Sequence, residues 1–247
     1  MANIIYEDKD ILVCHKQAGI AVQTRRIGQA DMESELKNYR ISKGEKPYIG
    51  IIHRLDQPVE GLLVFAKNPT SAANLSKQVA TRQIAKYYYA LAHMPENNQM
   101  MGSAWITLTD YLVRDGKTNM SRVVPETASG AKRAVLEYRI VRCHDGIALL
   151  DIHLHTGRHH QIRVQMAHAG MPLVGDLKYR RDNMDAAVWK SALENEKEDG
   201  RNNGAKIYGA EIENKHGLAL CAYRLEFTHP ASREKMFFGI APQWIEI

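Results

Sequence analysis

The 247-residue chain is expected to adopt an α+β fold built on a mixed, mostly antiparallel sheet with flanking helices and loops. Three observations carry that expectation. Short apolar runs bounded by turn residues outnumber the helical stretches. These runs do not alternate with helices in the regular way that a doubly wound parallel sheet requires. No Gly-rich phosphate loop, internal repeat or heptad stretch interrupts the pattern.

The elements follow in order. The opening I-I-Y-E-D-K-D-I-L-V-C-H-K-Q-A-G-I-A-V predicts strand, turn and strand, with Lys9 and Asp10 in the turn and Gly19 breaking the second run. Residues 31–42 carry a weak helical pattern. The apolar pairs and quartets Ile51-Ile52 and Leu62-Leu63-Val64-Phe65 predict buried strands on either side of the polar stretch H-R-L-D-Q-P-V-E-G. In N-P-T-S-A-A-N-L-S-K-Q-V, either Asn68 or Thr70 caps a helix whose apolar positions include Ala72, Leu75 and Val79. A-K-Y-Y-Y-A-L-A predicts a strand with Tyr87 and Tyr89 on one face and Tyr88 on the other. Further strands are expected at W-I-T-L-T, A-V-L-E-Y-R-I-V and I-A-L-L-D-I-H-L. Q-I-R-V-Q-M-A-H-A-G predicts a short helix ended by Gly170. Residues 180–216, polar, acidic and rich in Asn and Gly, are expected to form a surface excursion, after which L-A-L-C-A-Y-R-L-E-F-T-H-P returns to strand.

Composition narrows the class of protein. Hydrophobic residues at 45% and charged residues at 25% are ordinary for a globular chain. No apolar run approaches the ~20 residues that span a bilayer, and the N-terminus lacks the basic and apolar segments of a secretory signal. Three cysteines without a C-x-x-C pair suit reduced thiols, so a cytoplasmic protein is expected. Thirty-three basic against 28 acidic residues give a net charge of +5 and an isoelectric point near 9.0. Acidic residues gather in 182–199, which leaves the remainder more basic. That balance permits a polyanionic partner without requiring one; scattered surface charge fits it as well.

Three clusters bear chemistry. In H-R-L-D at 53–56, Asp56 is followed four residues later by Glu60, a pair compatible with acid–base work and equally with a capped turn beside Pro58 and Gly61. In D-I-H-L-H-T-G-R-H-H-Q-I-R, His153 and His155 share a strand face and His159 and His160 follow a Gly turn. Four imidazoles invite a zinc site, but no cysteine lies near and the spacing matches no familiar zinc-protease pattern. With Arg158 and Arg163 the segment suits phosphate or carboxylate better. In K-Y-Y-Y-A, Tyr88 is free to stack on a planar group such as a nucleobase, while Tyr87 and Tyr89 are read as packing residues.

Taken in order, these segments resemble the RluA-type pseudouridine synthases. D-I-L-V-C-H-K-Q-A-G at 10–19 is similar to the family's strand and K-P-A-G turn. G-I-I-H-R-L-D-Q-P-V-E-G-L-L-V-F-A-K places the family's catalytic aspartate at Asp56. K-Y-Y-Y-A aligns Tyr88 with the active-site tyrosine, and H-T-G-R-H-H-Q-I-R-V-Q-M-A-H-A-G-M-P-L-V-G-D puts Arg163 at the basic residue that pairs with the aspartate. L-A-L-C-A-Y-R-L-E-F-T-H-P resembles the closing strand. Four departures bear on the substrate subgroup: Val59-Glu60 where Thr-Ser is common, Gln17 for proline, and Gln165 and Cys221 for histidines.

The resemblance implies a single catalytic domain over 1–247, without the small N-terminal RNA-binding domain of many relatives, and an active-site cleft across its sheet. It implies isomerisation of uridine to pseudouridine in structured RNA, ribosomal RNA being favoured over transfer RNA, with no metal and no cofactor. Asp56 would be catalytic, and Tyr88, Arg163 and Arg54 would bind substrate, Arg54 filling the space left by a flipped base or holding phosphate. His53 is expected to be structural and Glu60 a turn or subgroup feature. No membrane partner and no obligate assembly are expected, so the chain is taken as a monomer. A non-catalytic RNA-binding module and a metal-dependent hydrolase built on the histidines of 153–160 are the competing readings.

Overall fold

The computed structural model describes residues 3–24, 28–94, 104–144, 146–179, 217–242 and 244–245. The expected excursion at 180–216 lies outside the described residues. The chain divides into two compact units, Met1–Tyr87 with Cys221–Ile247, and Tyr88–Leu220. The fold class is the expected α+β, with eleven strands and three helices among the described residues.

The first unit is built on a sheet whose neighbours run β1 (Asn3–Glu7), β2 (Ile11–Lys16), β4 (Glu60–Ala66), β10 (Leu220–Thr228) and β11 (Lys235–Gly239), with the short β3 (Gly50–Ile51) also on β4. β1 and β2 form the predicted antiparallel hairpin. Asp8 makes its turn, its Oδ1 accepting from the backbone N–H of Asp10 at 2.7 Å and Ile11 at 2.8 Å. β4 is buried at all seven positions, because β2 flanks it on one side and β10, in parallel, on the other. Ile11, Val13, Leu62, Val64, Leu75, Leu225 and Phe227 pack into one core. α1 (Met32–Ser42) is capped by Asp31, and α2 (Pro69–Ala80) by Asn68 rather than Thr70, each side chain accepting from a backbone N–H three residues on. Pro69 sits in the first turn of α2, where its missing N–H has no partner to lose.

In the second unit the strand order is β5 (Ala85–His93), β9 (Ile147–Leu154), β8 (Lys132–His144), β6 (Ile106–Asp115) and β7 (Met120–Val124). The β6, β7, β8 and β9 ladders are antiparallel. α3 (Gln161–His168) packs Val164 against Leu112, Ala134 and Tyr179. It ends where expected, at Gly170 with φ 83°. Tyr87, Tyr88 and Tyr89 alternate in burial as a strand requires, but Tyr88 is the buried one at 5% exposure while its neighbours are half-buried. No helix among the described residues is long and apolar enough to cross a membrane.

Candidate active site

Asp56 lies in the first unit on the loop between β3 and β4, half-buried, directly after the exposed Arg54 and the buried Leu55. The loop is short and tied down. Val59 donates its N–H to the Asp56 carbonyl, closing a turn, and Gly19 donates to the Gln57 carbonyl at 2.9 Å. The Gln57 side-chain amide returns a bond to the Gly19 carbonyl at 2.9 Å. Beneath these contacts sits Lys16, the last residue of β2 and 0% exposed. Its ammonium donates to the carbonyls of Gln17 (3.0 Å), Ile20 (2.7 Å) and Gln57 (3.0 Å). All three ammonium protons are thereby used on backbone. Burial pushes the Lys16 ammonium down to about 8, while the negative charges of Asp56 and Glu60 pull it back up. The lysine thus locks the loop and places positive charge near the Asp56 carboxylate.

His53 and Glu60 fall on either side. The Val64 N–H donates to His53 Nε2 at 3.4 Å, and the imidazole is pushed down to about 3, first by burial and then by the Lys86 ammonium. It stays neutral as an acceptor, in keeping with a structural role. Glu60 is no turn residue: it opens β4, is buried, and stands in register with Cys221 of β10. Its Oε2 is 3.8 Å from His15 Nε2. Burial, and then Glu60 itself, drive the Cys221 thiol upward, so this cysteine is an inert core residue. Arg54 borders an open cavity of about 310 Å³ lined also by Gln23, Thr24, Gln29 and Gln57.

The second unit holds Tyr88 and Arg163. The side chain of Arg163 projects from α3, 5% exposed, and its fork grips Asp176, with Nε to Oδ2 at 2.8 Å and Nη2 to Oδ1 at 2.7 Å. Asp176 is 1% exposed and accepts in addition from the N–H of Lys178 at 3.0 Å and Tyr179 at 3.3 Å. Gly175, φ 76°, makes this possible: a Cβ there would lie 2.0 Å from the Gly217 carbonyl oxygen. The Tyr179 ring covers the Arg163 guanidinium at 5.3 Å. Asp176 was missed in sequence, although it is the only carboxylate in the 155–176 motif. Lys16 was missed too, as a lysine at the end of an apolar run.

The turn before α3 is ordered by Gln161. Its Oε1 accepts from the Thr156 hydroxyl at 2.7 Å and the Arg158 N–H at 3.0 Å, and its Nε2 donates to the Val135 carbonyl at 3.1 Å. The four histidines do not gather. His153 and His155 do share a face, with rings 4.2 Å apart beside Glu137. His159 and His160 stack on each other at 3.7 Å and turn to Ser121 and Tyr179. The Ser121 N–H donates to the Tyr179 hydroxyl, and the same hydroxyl shares a hydrogen bond with His160 Nδ1 at 2.8 Å. Burial, and then the nearby Arg163 charge, drive the His160 imidazole down to about 3, which keeps it neutral.

Comparison with known proteins identifies the family. The family model described as RNA pseudouridylate synthase matches residues 10–168, a stretch that includes Asp56, Tyr88 and Arg163. An uncharacterized RNA pseudouridine synthase of Mycoplasma genitalium is 28% identical over 237 residues, covering 95% of this chain and 65% of that protein. The ribosomal large subunit pseudouridine synthase D of Buchnera aphidicola subsp. Baizongia pistaciae is 33% identical over 181 residues, 72% of this chain and 53% of that protein. The chain therefore spans less than two thirds of the length of these relatives. The solved structure of human RNA pseudouridylate synthase domain containing 4 shares the fold, with a TM-score of 0.71 at 22% identity over 98% of this chain and 89% of that one. The chain belongs to the RNA pseudouridylate synthase family.

Proposed function

We propose that the chain isomerises specific uridines to pseudouridine in structured RNA. The N1–C1′ bond of the nucleotide breaks, the uracil turns, and a C5–C1′ bond forms; N1 takes up a proton and the C5 proton leaves to solvent. Asp56 initiates cleavage, Tyr88 and Arg163 bind the uridine, and Arg54 contacts the RNA beside it. The observation that carries this reading is the local setting of Asp56: a carboxylate on a family-matched loop, locked from below by a buried lysine that spends all its donors on backbone. A reaction that needs no redox step can be run by such a group through positioning and charge alone. The net charge of +5 favours RNA as the partner. Ribosomal RNA is the favoured substrate over transfer RNA, because relatives from Buchnera are named for the ribosomal large subunit. The protein acts as a cytoplasmic monomer, consistent with three free cysteines.

Tritium release from RNA carrying 5-tritiated uridine tests the proposal. Wild-type protein is expected to release tritium from ribosomal RNA, and Asp56→Asn to release none while binding the RNA within a few-fold of wild type. Turnover by Asp56→Asn near the wild-type rate would refute the assignment of Asp56. Binding without release by the wild-type chain, on both ribosomal and transfer RNA, would favour a non-catalytic RNA-binding module. Multi-angle scattering from a sizing column checks the monomer.

A further inference from the structure

We propose that Glu137, His153 and His155 form a binding site for a divalent transition metal of the zinc type on the second unit. Glu137 of β8 stands opposite His153 of β9 in the antiparallel register, and His155 follows two residues on, so all three side chains leave the same face of the sheet. Glu137 Oε2 lies 2.9 Å from His155 Nε2 and 3.8 Å from His153 Nδ1. The three donor atoms lie within 4.8 Å of one another. Zinc bonds of ~2.0–2.1 Å in a tetrahedron hold their donors about 3.3 Å apart. The two measured separations bracket that value, and small side-chain rotations suffice to bring the donors onto one ion.

The chemistry of the donors is right as well. Two imidazoles and one carboxylate are the ligand set of three-point zinc sites that keep a fourth position for water. Side-chain exposures of 24%, 32% and 35% leave all three groups in reach of solvent. The second carboxylate oxygen of Glu137 faces the Thr107 hydroxyl across β6 and β8 at 3.5 Å, which holds the carboxylate plane from behind. Cys14 and Cys221 compete poorly for such an ion, since both are buried and their thiols pushed upward. The site lies apart from the histidines near Arg163: His159 and His160 are engaged with Ser121 and Tyr179. A bound ion cross-links the end of β9 to β8 directly before the Thr156–Arg158 turn that Gln161 orders. The expected effect is therefore on stability of this segment, not on bond breaking in RNA.

Equilibrium dialysis and calorimetry of the full chain against zinc chloride, in chelator-free buffer at pH 7.5, test the proposal. The expected result is saturable one-to-one binding at micromolar zinc. The single variants Glu137→Gln, His153→Ala and His155→Ala are each expected to weaken it at least tenfold, and the triple variant to remove it. Cobalt in place of zinc should give visible bands of tetrahedral intensity that the triple variant lacks. Hydrogen exchange of the 150–158 amides should slow with zinc in the wild type only. Absence of saturable binding by wild-type protein would overturn the site, and so would zinc binding that survives the triple substitution. Because the readouts are binding and exchange, they stand whether or not the chain proves to be a pseudouridine synthase.

Discussion

Lys16 is the residue on which the candidate catalytic loop rests. A buried ammonium is costly unless its donors are satisfied, and here three backbone carbonyls do so, one of them adjacent to Asp56. Lys16→Met keeps the aliphatic stem and orphans those carbonyls. It is expected to lower the unfolding free energy by about 3 kcal/mol and to reduce kcat by roughly a hundredfold through loss of loop geometry, with RNA affinity nearly unchanged; urea denaturation and tritium release measure the two. Arg163 presents the converse case. Its removal leaves the Asp176 charge buried without its guanidinium, held only by the backbone N–H groups of Lys178 and Tyr179, so Arg163→Ala is expected to lose about 3–5 kcal/mol. The double variant Arg163→Met with Asp176→Leu should recover most of that stability by thermal melting yet remain inactive, separating the arginine's structural use from the uridine-binding role proposed for it. The motif strings single out Asp56, Tyr88 and Arg163 as candidate site residues. Lys16 and Asp176 stand in the same strings, but their roles were not legible there, since what makes them matter is the partners they meet. Those partners lie up to 41 residues away for Lys16 and 13 for Asp176, and no local pattern records such separations.

Elements with strong local signals were legible: the β1–β2 hairpin, the Asn68 cap, the buried β4 run and the Gly170 stop all follow from turn and capping chemistry close in sequence. β7 and β11 were not, because M-S-R-V-V and K-M-F-F-G are too short to carry a period and exist through pairing with β6 and β10. The burial of Tyr88 rather than its neighbours was likewise invisible, since alternation fixes which residues share a face and not which face is covered. Gly61 sets the crossing of β4 and β10. Its φ is 137°, and a Cβ would lie 2.5 Å from both the backbone nitrogen and Cβ of Ala222. Gly61→Ala is expected to lose about 2–5 kcal/mol from strain and overpacking together. Gly19→Ala, at φ 85° with nothing within 4 Å, should lose only about 1 kcal/mol. Asn68→Ala, which removes a helix cap, also belongs near 1 kcal/mol. Urea midpoints check the assignment, with Gly61→Ala expected lowest and the other two close to each other.

Across the whole molecule, the histidines held neutral make stability depend on pH well above the carboxylate range. His53 is pushed to about 3, His159 to about 4 and His160 to about 3, all from an ordinary 6.5. Below pH 6.5 the unfolded chain takes up protons at these imidazoles and the folded chain does not. Their contribution is thus complete above 6.5 and is lost as pH falls toward 4. Carboxylates with lowered values, such as Glu7 at about 2 beneath Lys43 and Lys67, lose their contribution only at lower pH. The window from 6.5 to 4.5 therefore belongs to histidine. His160 is the best single probe, being 8% exposed and bonded to the Tyr179 hydroxyl. A single such group gives a slope of up to about 1.4 kcal/mol per pH unit. Asparagine at position 160 tolerates the left-handed backbone, φ 53°, and cannot take up a proton. His160→Asn is expected to flatten the fall in unfolding free energy between pH 6 and 4.5 by about one proton's worth, with little change at pH 7.5. Parallel pH profiles for the variant and the wild type would show instead that His160 takes up its proton as readily in the folded protein as in the unfolded chain.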